Sequence, residues 1–418
     1  MRENAAVTMT NWAGNVTFRA RRVHTPSSVD DLRKVVTGAN RIRPLGTAHS
    51  FNRIADTDGD LVSVAGLPPT MTVDAGAATV TVAAGVRYGE LATHLHGAGF
   101  ALHNMGSLPH ISVAGACATG THGSGIGNGN LATAVSALTL VTPDGELVRL
   151  ARGEDDFAGA VVALGALGVV TDLTLDVRPT FDVRQYVYDG LSLPALLDNL
   201  GEVLGAGYSV CLFTGWTGPT TFQVWLKRRF DEPLPPLDWL GASLADSPRH
   251  PVPGMPTAHC TEQLGVPGPW HLRLPHFRLE FTPSSGEELQ SEYFVPLDRA
   301  TEALTAIDDI RDRVAPVLQT SEVRTIAADD LWLSPAHDRD SLAIHFTWIA
   351  DTDAVTPVVE AVEERLAPLQ ARPHWGKLFR MTPDAVGSLY PRRDEFIALA
   401  RRYDPARRLR NEMLEEYL

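Results

Sequence analysis

The segment Arg43-Pro-Leu-Gly-Thr-Ala-His-Ser-Phe51 combines an extended run, a glycine turn and a histidine within one short stretch. We expect residues 41–45 to be extended and Gly46 to turn the chain, because glycine adopts turn conformations at little steric cost. By itself, His49 after such a turn is an ordinary loop or capping residue in most proteins. Its role therefore has to be inferred together with the segments that accompany it.

A second glycine-containing region follows it along the chain. Residues 104–115, Asn-Met-Gly-Ser-Leu-Pro-His-Ile-Ser-Val-Ala-Gly, lead towards a glycine-dense loop at residues 120–129. Such a loop offers many backbone N–H groups and can surround a pyrophosphate without basic side chains. The alternative is a flexible surface loop, but its length and its Thr, Ser and His content favour a ligand.

Several common nucleotide and hydrolase motifs are missing from the sequence. The loop fails the dinucleotide pattern GxGxxG, because Asn128 or Asn130 stands where the third glycine belongs. No GxxxxGKS/T, HExxH or GxSxG sequence occurs. These absences count against a nicotinamide dehydrogenase of the usual kind, an NTPase, a zinc protease and an α/β-hydrolase.

The cysteine spacing and the lack of a signal or membrane-spanning run predict a cytoplasmic protein, and the charge does not oppose a neutral substrate. The chain has 418 residues, with 36 Lys and Arg against 50 Asp and Glu, so its net charge is −14. That length fits two or three domains, and the negative charge opposes nonspecific binding to nucleic acid or an anionic membrane. The three cysteines, which are widely separated, predict neither disulfides nor a metal site. Residues 1–11 lack the apolar run of a secretory signal, and residues 158–170 are too few to span a bilayer.

Local patterns predict short elements before residue 180 and longer loops after it. Ser28 is expected to cap a helix, and Pro143-Asp-Gly145 to turn a hairpin. Asp404, followed by Pro405, is expected to begin a helix near the C-terminus. Seven of the eight tryptophans fall between residues 180 and 380, which suits a domain that shapes a pocket, although an aromatic core is the commoner reason.

Two short stretches place complementary polar groups on one face of a predicted sheet. In Glu322-Val-Arg324 and in His345-Phe-Thr347, the first and third side chains point the same way, because side chains alternate along a strand. A buried polyol needs donors and acceptors, and this face offers a carboxylate, a guanidinium, an imidazole and a hydroxyl. Spacing alone leaves a second interpretation open with equal weight, a surface Glu–Arg ion pair worth at most about 1 kcal/mol.

Taken together, the His49 segment, the loop from Ser107 to His122 and Arg372-Pro-His-Trp-Gly-Lys377 resemble the vanillyl-alcohol-oxidase-type flavoproteins over nearly the whole chain. The resemblance implies an α+β fold. A vanillyl-alcohol-oxidase/PCMH-type FAD-binding domain is expected at residues 10–179, completed by about 385–418. A second, substrate-binding (cap) domain built on an antiparallel sheet flanked by helices is expected at residues 180–384.

Further segments look specifically like those of the alditol oxidases within that family; they are residues 266–270, 274–278, 280–285 and 288–293. This likeness implies FAD-dependent oxidation of the terminal primary hydroxyl of an alditol, such as xylitol or sorbitol, to the aldose. Hydride would pass from C1 to flavin N5, and O2 would be reduced to hydrogen peroxide. The alternative is an aldonolactone (gulono- or galactono-lactone) oxidase or dehydrogenase of the same fold. A noncatalytic carbohydrate-binding protein is opposed by His49 and the intact glycine loop.

The family also implies roles for individual positions. FAD is expected to be covalently bound through His49, and the partners are expected to be a small-molecule polyol and O2, with no nucleic acid, no membrane and a monomeric state. The expected catalytic residues are Lys377, Arg324, Glu322 and His345. The expected substrate-binding residues are Ser107, Glu322, Arg324, Thr347 and Lys377. The expected cofactor-binding residues are His49, Pro44, Leu45, Gly46, Thr47, Ala48, Ser50, Ser107, Ser112, Gly115, Thr119, Gly120, Thr121, His122, Val170 and His374. Replacements at Glu322, Arg324 and Lys377 are expected to lower turnover without unfolding the protein.

Overall fold

The structure is a computed structural model that describes residues 9–281 and 283–418. Two expectations fall partly outside these ranges. Residues 1–8 of the segment expected to lack a secretory signal, residues 1–11, lie outside the described residues. So does Thr282 of the alditol-oxidase-like segment 280–285.

The described ranges contain twenty strands, several of only two or three residues, in four sheets. In chain order the strands are β1 (Arg22–His24), β2 (Ile42–Leu45), β3 (Asp60–Ser63), β4 (Met71–Asp74), β5 (Thr79–Ala83), β6 (Phe100–Ala101), β7 (Val135–Val141), β8 (Leu147–Ala151), β9 (Val169–Asp176), β10 (Arg178–Pro179), β11 (Asp182–Ser192), β12 (Ser209–Thr214), β13 (Thr221–Arg229), β14 (Asp238–Trp239), β15 (Ala242–Leu244), β16 (Gly268–Pro269), β17 (Leu289–Pro296), β18 (Leu318–Ile326), β19 (Ser341–Trp348) and β20 (Arg372–Pro373).

The same ranges contain twelve α-helices, most of them short, so packing rather than intrinsic propensity has to stabilise them. They are α1 (Val29–Gly38), α2 (Tyr88–Gly97), α3 (Val113–Ala118), α4 (Phe157–Val161), α5 (Leu193–Asp198), α6 (Leu200–Leu204), α7 (Ala300–Asp308), α8 (Arg311–Val314), α9 (Thr352–Leu366), α10 (Pro383–Leu389), α11 (Arg393–Tyr403) and α12 (Glu412–Tyr417). No helix among them is both long and apolar enough to cross a membrane.

The N-terminal part of the chain builds one hydrophobic core. It contains the antiparallel sheet β4-β5-β9-β7-β8 and the small parallel sheet β1-β3-β2. The C-terminal helices return to this core, where α11 buries Phe396 and α12 buries Leu414. The domain limits at residues 179/180 and 384/385 remain a prediction.

A ten-stranded sheet forms the rest of the molecule, with the order β14-β15-β11-β13-β12-β18-β19-β17-β20 and β16 paired to β11. Its neighbouring strands are antiparallel. One face packs on α7 and α9 through a second hydrophobic core, which includes Ile344, Phe346 and Trp348 as the alternation predicts. Because side chains alternate, the polar residues of β17, β18 and β19 collect on the opposite face.

The local predictions succeed where an apolar face supports them. The hydroxyl of Ser28 accepts a hydrogen bond from the amide of Asp31 at the start of α1, and β7 pairs with β8 in the predicted hairpin. The prediction of a helix beginning at Asp404 is wrong. Helix α11 ends just before this residue, and its carboxylate accepts bonds from the amides of Arg408 and Leu409 at 2.9 and 2.7 Å. Residues 405–410 are Pro-Ala-Arg-Arg-Leu-Arg, with Leu409 as the single large apolar side chain, so a helix there would have no continuous apolar face to bury.

Candidate active site

Two adjoining cavities open beside the N-terminal core, one of them against the polar face of the large sheet and the other within the N-terminal part. The sheet-side cavity is lined by polar residues of β17, β18 and β19 together with His49 and Ser107. The loop-side cavity is lined by β2, the residues that follow it, and α3. Both cavities share wall residues, including Gly46, Thr47 and Gly115. One elongated ligand can therefore occupy the two.

The turn between the cavities presents backbone donors to a ligand. Gly46 and Gly115 both adjoin Ser112, and a Cβ on either glycine would lie 2.8 Å from the serine hydroxyl oxygen. No backbone acceptor in the described ranges takes a hydrogen bond from the amides of residues 47–50. Free N–H groups along a concave turn form an anion-binding site.

Among the described residues, Arg43 is the only basic side chain in the wall of the loop-side cavity. Its guanidinium is already hydrogen-bonded within the protein. Its guanidinium donates to the backbone carbonyls of Ile54, Leu164, Gly165 and Leu409. Arg43 therefore ties the walls together and leaves an anion to the backbone amides. This donor set fits the pyrophosphate of the FAD that the sequence predicts.

His49 lines the sheet-side cavity next to the shared wall. Ala48 before it has a φ of 56°, a left-handed conformation that is uncommon outside glycine. The imidazole stacks on Trp12 with ring centroids 5.4 Å apart, and its Nδ1 lies 2.9 Å from the carbonyl oxygen of Thr47. Burial lowers the pKa of His49 to about 4. The ring is therefore neutral at physiological pH and fixed in orientation, as a nucleophile that bonds to an electrophilic carbon must be.

A row of three titratable side chains crosses the polar face of the large sheet. Glu292 on β17, His345 on β19 and Glu322 on β18 are in register across neighbouring strands. Arg324 lies between the two carboxylates, with Nη2 2.5 Å from Oε1 of Glu292 and Nε 3.5 Å from Oε1 of Glu322. Its Nη1 donates to the hydroxyl of Ser107 at 3.2 Å. The Glu322–Arg324 pair is thus buried in a cavity and is not a surface ion pair.

Arg324 controls the ionisation of both carboxylates. Burial alone would raise the pKa of Glu292 and Glu322, but attraction to Arg324 and hydrogen bonds and attraction from neighbouring histidines together outweigh it and hold both pKa values well below the ordinary range. Within the described ranges, hydrogen bonds reach only Oε1 of each carboxylate. The second oxygen, Oε2, is available on each to accept a bond from a ligand hydroxyl.

Lys377 and His345 add one cation and one neutral ring. The Lys377 ammonium donates to the side-chain carbonyl of Gln290 and lies 5.0 Å from the centre of the Phe51 ring. Burial lowers the pKa of Lys377 to about 8 and that of His345 to about 3. His345 is therefore neutral, and its Nδ1 has no partner among the described residues. Because Arg324 and Lys377 balance two carboxylates, these groups carry no net charge near neutral pH.

The structure brings the predicted positions together. All of the predicted catalytic and substrate-binding residues line the sheet-side cavity: Ser107, Glu322, Arg324, His345, Thr347 and Lys377. The predicted cofactor-binding residues that line the same cavity are Leu45, Gly46, Thr47, Ala48, His49, Ser50, Gly115, Thr119, Thr121, His122 and His374. The loop-side cavity is lined by Pro44, Leu45, Gly46, Thr47, Ser50, Ser112, Gly115, Thr119 and Val170. Gly120 lines neither cavity, and its position packs against Pro335.

The rest of the glycine-dense loop, residues 123–129, packs between the two halves of the molecule. The amide of Gly125 donates to the carbonyl of Thr325 at 3.0 Å, and the Asn128 side chain donates to the carbonyl of Tyr208 at 3.0 Å. A Cβ at Gly123 would lie 2.3 Å from a backbone oxygen. Close packing therefore explains Gly123, Gly125 and Gly129, whereas a Cβ at Gly127 would meet no atom within 4 Å. The proposed phosphate-binding segments are therefore the turn at residues 46–50 and the chain up to His122.

Several residues of the sheet-side cavity were not predicted as site residues, and Gln290, Glu292 and His276 are the ones that contact the predicted groups. Gln290 and Glu292 are two residues apart on β17, and Glu292 also lies 3.1 Å from Nε2 of His122. These polar residues alternate with Leu289 and Tyr293 along β17, which was a usable signal. His276 lies in a loop, and only long-range packing brings its Nε2 within 2.7 Å of Glu322.

Comparison with known proteins gives consistent results. A profile for the FAD binding domain matches residues 20–151, and a profile for D-arabinono-1,4-lactone oxidase matches residues 286–417. An alditol oxidase of Streptomyces sp. (strain IKD472 / FERM P-14339) is 55% identical over 98% of this chain and 99% of its own length. An L-gulono-1,4-lactone dehydrogenase of Mycobacterium tuberculosis (strain ATCC 25618 / H37Rv) is 30% identical over 98% of both chains. A solved solvent-stable cholesterol oxidase superposes with a TM-score of 0.80 at 15% identity, covering 98% of this chain and 97% of its own, which shows a common fold alone.

Proposed function

The chain belongs to the alditol oxidase family of vanillyl-alcohol-oxidase-type flavoproteins, and from that premise we propose that it oxidises the terminal primary hydroxyl of alditols such as xylitol and sorbitol to the aldose, with O2 reduced to hydrogen peroxide. The predicted family and the predicted α+β fold are confirmed. The observation that carries the finer proposal is the sheet-side cavity, which is polar, balanced in charge and equipped with two free carboxylate oxygens.

The competing substrate is an aldonolactone, because the second relative is a lactone dehydrogenase. A lactone has a carbonyl oxygen and a ring oxygen that can only accept hydrogen bonds. Every oxygen of an alditol carries a proton and can donate one. The free Oε2 atoms of Glu292 and Glu322 are acceptors, and an acceptor facing another acceptor would leave a buried polar group unsatisfied. The cavity therefore favours the open-chain polyol.

A bound FAD would supply the two-electron redox chemistry that links the alcohol to O2. The chain's own contribution is to bind the substrate and to manage its hydroxyl proton. Arg324 and Ser107 can donate to substrate oxygens, while the carboxylates accept from substrate hydroxyls. His345, neutral and part of the cavity wall, is the proposed acceptor of the proton of the reacting hydroxyl, and Lys377 is proposed to stabilise negative charge that develops beside it.

A peroxide-coupled assay tests the substrate class. We expect the purified holoenzyme to form hydrogen peroxide with xylitol and sorbitol, and to react at least about tenfold less efficiently, measured as kcat/KM, with galactonolactone and gulonolactone. Each substrate is assayed with and without catalase, so that only genuine peroxide is counted. If the enzyme oxidises a lactone but no alditol, the proposed function is wrong and the protein is an aldonolactone oxidase.

We further propose that His49 carries FAD covalently, because its neutral imidazole is oriented at the junction of the two cavities. His49→Ala is expected to abolish the covalent bond, so that the acid-precipitated protein loses its yellow colour. Tryptic peptide mass should show flavin on the His49 peptide of the wild type only. His94→Ala, at an exposed helical histidine, is the matched control and should keep the colour. Flavin mass on any other peptide contradicts the proposal.

Oxygen access is proposed to depend on Gly106, which lines the sheet-side cavity. A Cβ there would meet no atom closer than 3.6 Å, so an alanine fits and a larger side chain has to extend into the cavity. Gly106→Leu is expected to slow reoxidation of the reduced enzyme by O2 by about tenfold or more, with Gly106→Ala between it and the wild type. Stopped-flow absorbance measures the rate. Unchanged reoxidation in Gly106→Leu would mean that oxygen arrives by another route.

A further inference from the structure

A second line of buried polar groups lies behind Glu322. Its Oε1 is 2.7 Å from Nε2 of His276, and Nδ1 of the same ring is 3.1 Å from the Nζ of Lys227. Lys227 is 0% exposed and His276 is 3% exposed. Lysine is almost never fully buried unless it has a specific partner. The chemistry assigned to the cavity so far makes no use of this lysine.

Packing holds the His276 ring in one orientation. Phe213 and Trp225, both on the polar face of the large sheet, meet it edge-on with ring centroids 5.3 Å away. The backbone amide of His276 donates to the carbonyl of Ser107 at 3.1 Å, and its carbonyl accepts from the amide of Thr261 at 2.9 Å. The imidazole therefore cannot turn away from Glu322 without moving its neighbours.

Lys227 and Glu322, on opposite sides of the ring, both determine which nitrogen of His276 carries the proton. An ammonium group only donates, and this one meets three acceptors, the carbonyls of Leu274 and Pro275 and the Nδ1 of His276. Burial lowers the pKa of Lys227 to about 8, and burial together with the charge of Lys227 lowers the pKa of His276 to about 4. Near neutral pH the lysine is therefore mostly charged and the imidazole neutral. Because Nδ1 has to accept a hydrogen bond from Lys227, the ring proton lies on Nε2, which donates a hydrogen bond to Oε1 of Glu322.

We propose that Lys227 and His276 are positioning residues for substrate oxidation: Lys227 fixes the Nε2–H tautomer of His276, which holds Oε1 of Glu322 and leaves Oε2 directed to a substrate hydroxyl. Arg324 approaches the same Oε1 at 3.5 Å, so both partners hold one oxygen and leave the other free. The proposal rests on the proposed function for the identity of the substrate. The tautomer of His276 does not depend on that identity.

A bound metal ion is the competing explanation of this cluster, since Cys211, His276 and Glu322 have possible ligand atoms within 4.8 Å of one another. Metal binding requires a thiolate, and burial raises the pKa of Cys211 to about 12. A metal cation would also lie close to the ammonium of Lys227. The hydrogen-bonded chain therefore explains the cluster better.

The tautomer can be measured directly. Holoenzyme labelled with 15N-histidine distinguishes a protonated from an unprotonated ring nitrogen by chemical shift, and the missing signal in His276→Gln assigns the residue. We expect the Nε2–H tautomer in the wild type and a mixture with the Nδ1–H tautomer in Lys227→Met. A wild-type Nδ1–H tautomer or a doubly protonated ring overturns the proposal, whatever the substrate.

Kinetics provide the second measurement. Glutamine at position 276 keeps an acceptor for Lys227 and a donor for Glu322 but has no tautomers. His276→Met is expected to slow reduction of the enzyme by xylitol about tenfold or more, and His276→Gln to restore most of that loss. Lys227→Met should slow reduction in the wild-type background and have a smaller effect in the His276→Gln background, which is the coupling that a tautomer lock predicts.

Two controls separate positioning from general loosening. Tyr188→Phe removes a hydroxyl that donates to the carbonyl of Pro236 on the opposite, apolar face of the large sheet, away from the Lys227–His276–Glu322 chain, and should leave reduction unchanged. Reoxidation of chemically reduced enzyme by O2 should be the same in all variants. If no alditol reduces the wild type, the proposed function fails and the tautomer measurement still decides this proposal. If xylitol reduces the wild type and Lys227→Met has equal effects in both backgrounds, the positioning role is wrong.

Discussion

Replacement of Lys377 by methionine is expected to lower kcat for xylitol roughly 100- to 1,000-fold while leaving the fold and the FAD content unchanged. Within the described residues, Lys377 is the only lysine that lines the sheet-side cavity. Negative charge develops there during oxidation, and a cation in a buried site stabilises it far better than a cation in water. Burial lowers the pKa of Lys377 to about 8, which means that the folded protein already bears a cost for this charge. Methionine removes that cost, so the melting temperature should stay level or rise.

Stopped-flow reduction by xylitol, with flavin content and melting temperature measured in parallel, checks this prediction. Lys377→Arg keeps the charge and should retain part of the rate. Lys34→Met removes an exposed lysine that pairs with Asp31 and should change nothing, because exposed pairs contribute little. A kcat for Lys377→Met within about tenfold of the wild type would mean that another group stabilises the developing charge.

Replacement of Arg324 by methionine is expected to lower kcat/KM for xylitol by about 100-fold or more and the free energy of unfolding by about 3–5 kcal/mol. Arg324 is buried between Glu292 and Glu322, so its loss leaves two buried carboxylates without their shared cation. The sequence alone led to the expectation that such a replacement would spare folding. That expectation changes because removing one partner of a buried ion pair is far more costly than removing an exposed one.

The pH dependence of stability identifies the cause. In the wild type the pKa values of Glu292 and Glu322 lie below their ordinary value of 4.5. The stability that these carboxylates contribute is therefore complete above about pH 4.5 and is lost as the pH falls through their folded-state pKa values. Without Arg324, burial dominates and raises both pKa values above 4.5, so the variant should gain stability relative to the wild type as the pH falls from about 7 towards 5.

Urea unfolding at several pH values measures this difference. The double variant Arg324→Met/Glu292→Gln has one buried carboxylate fewer and should recover part of the lost stability and show a weaker pH dependence. If Arg324→Met unfolds with the same pH dependence as the wild type, the carboxylates do not depend on Arg324 for their ionisation.

The sequence by itself determined the features that depend on local spacing. The extended run before Gly46, the hairpin around Pro143-Asp-Gly145 and the shared face of Glu322 and Arg324 all follow from the alternation of side chains and the conformational freedom of glycine. The motif set around His49 was sufficient to predict the family and the fold. These signals lie within a few residues of each other, so no knowledge of distant contacts is needed to interpret them.

Tertiary structure alone decided which elements meet. Alternation shows that Glu322 and Arg324 share a face but not that Glu292 of β17 lies across from them, because strand order and register depend on contacts between residues far apart in the chain. The same reason applies to His276 and Lys227, which reach Glu322 from a loop and from another strand. It also applies to Gly123, Gly125 and Gly129, which are needed for close packing, and to Asp404, after which no apolar face is available to support a helix. The cavity therefore depends on long-range packing, whereas the local conformation of each segment that lines it follows from the nearby sequence.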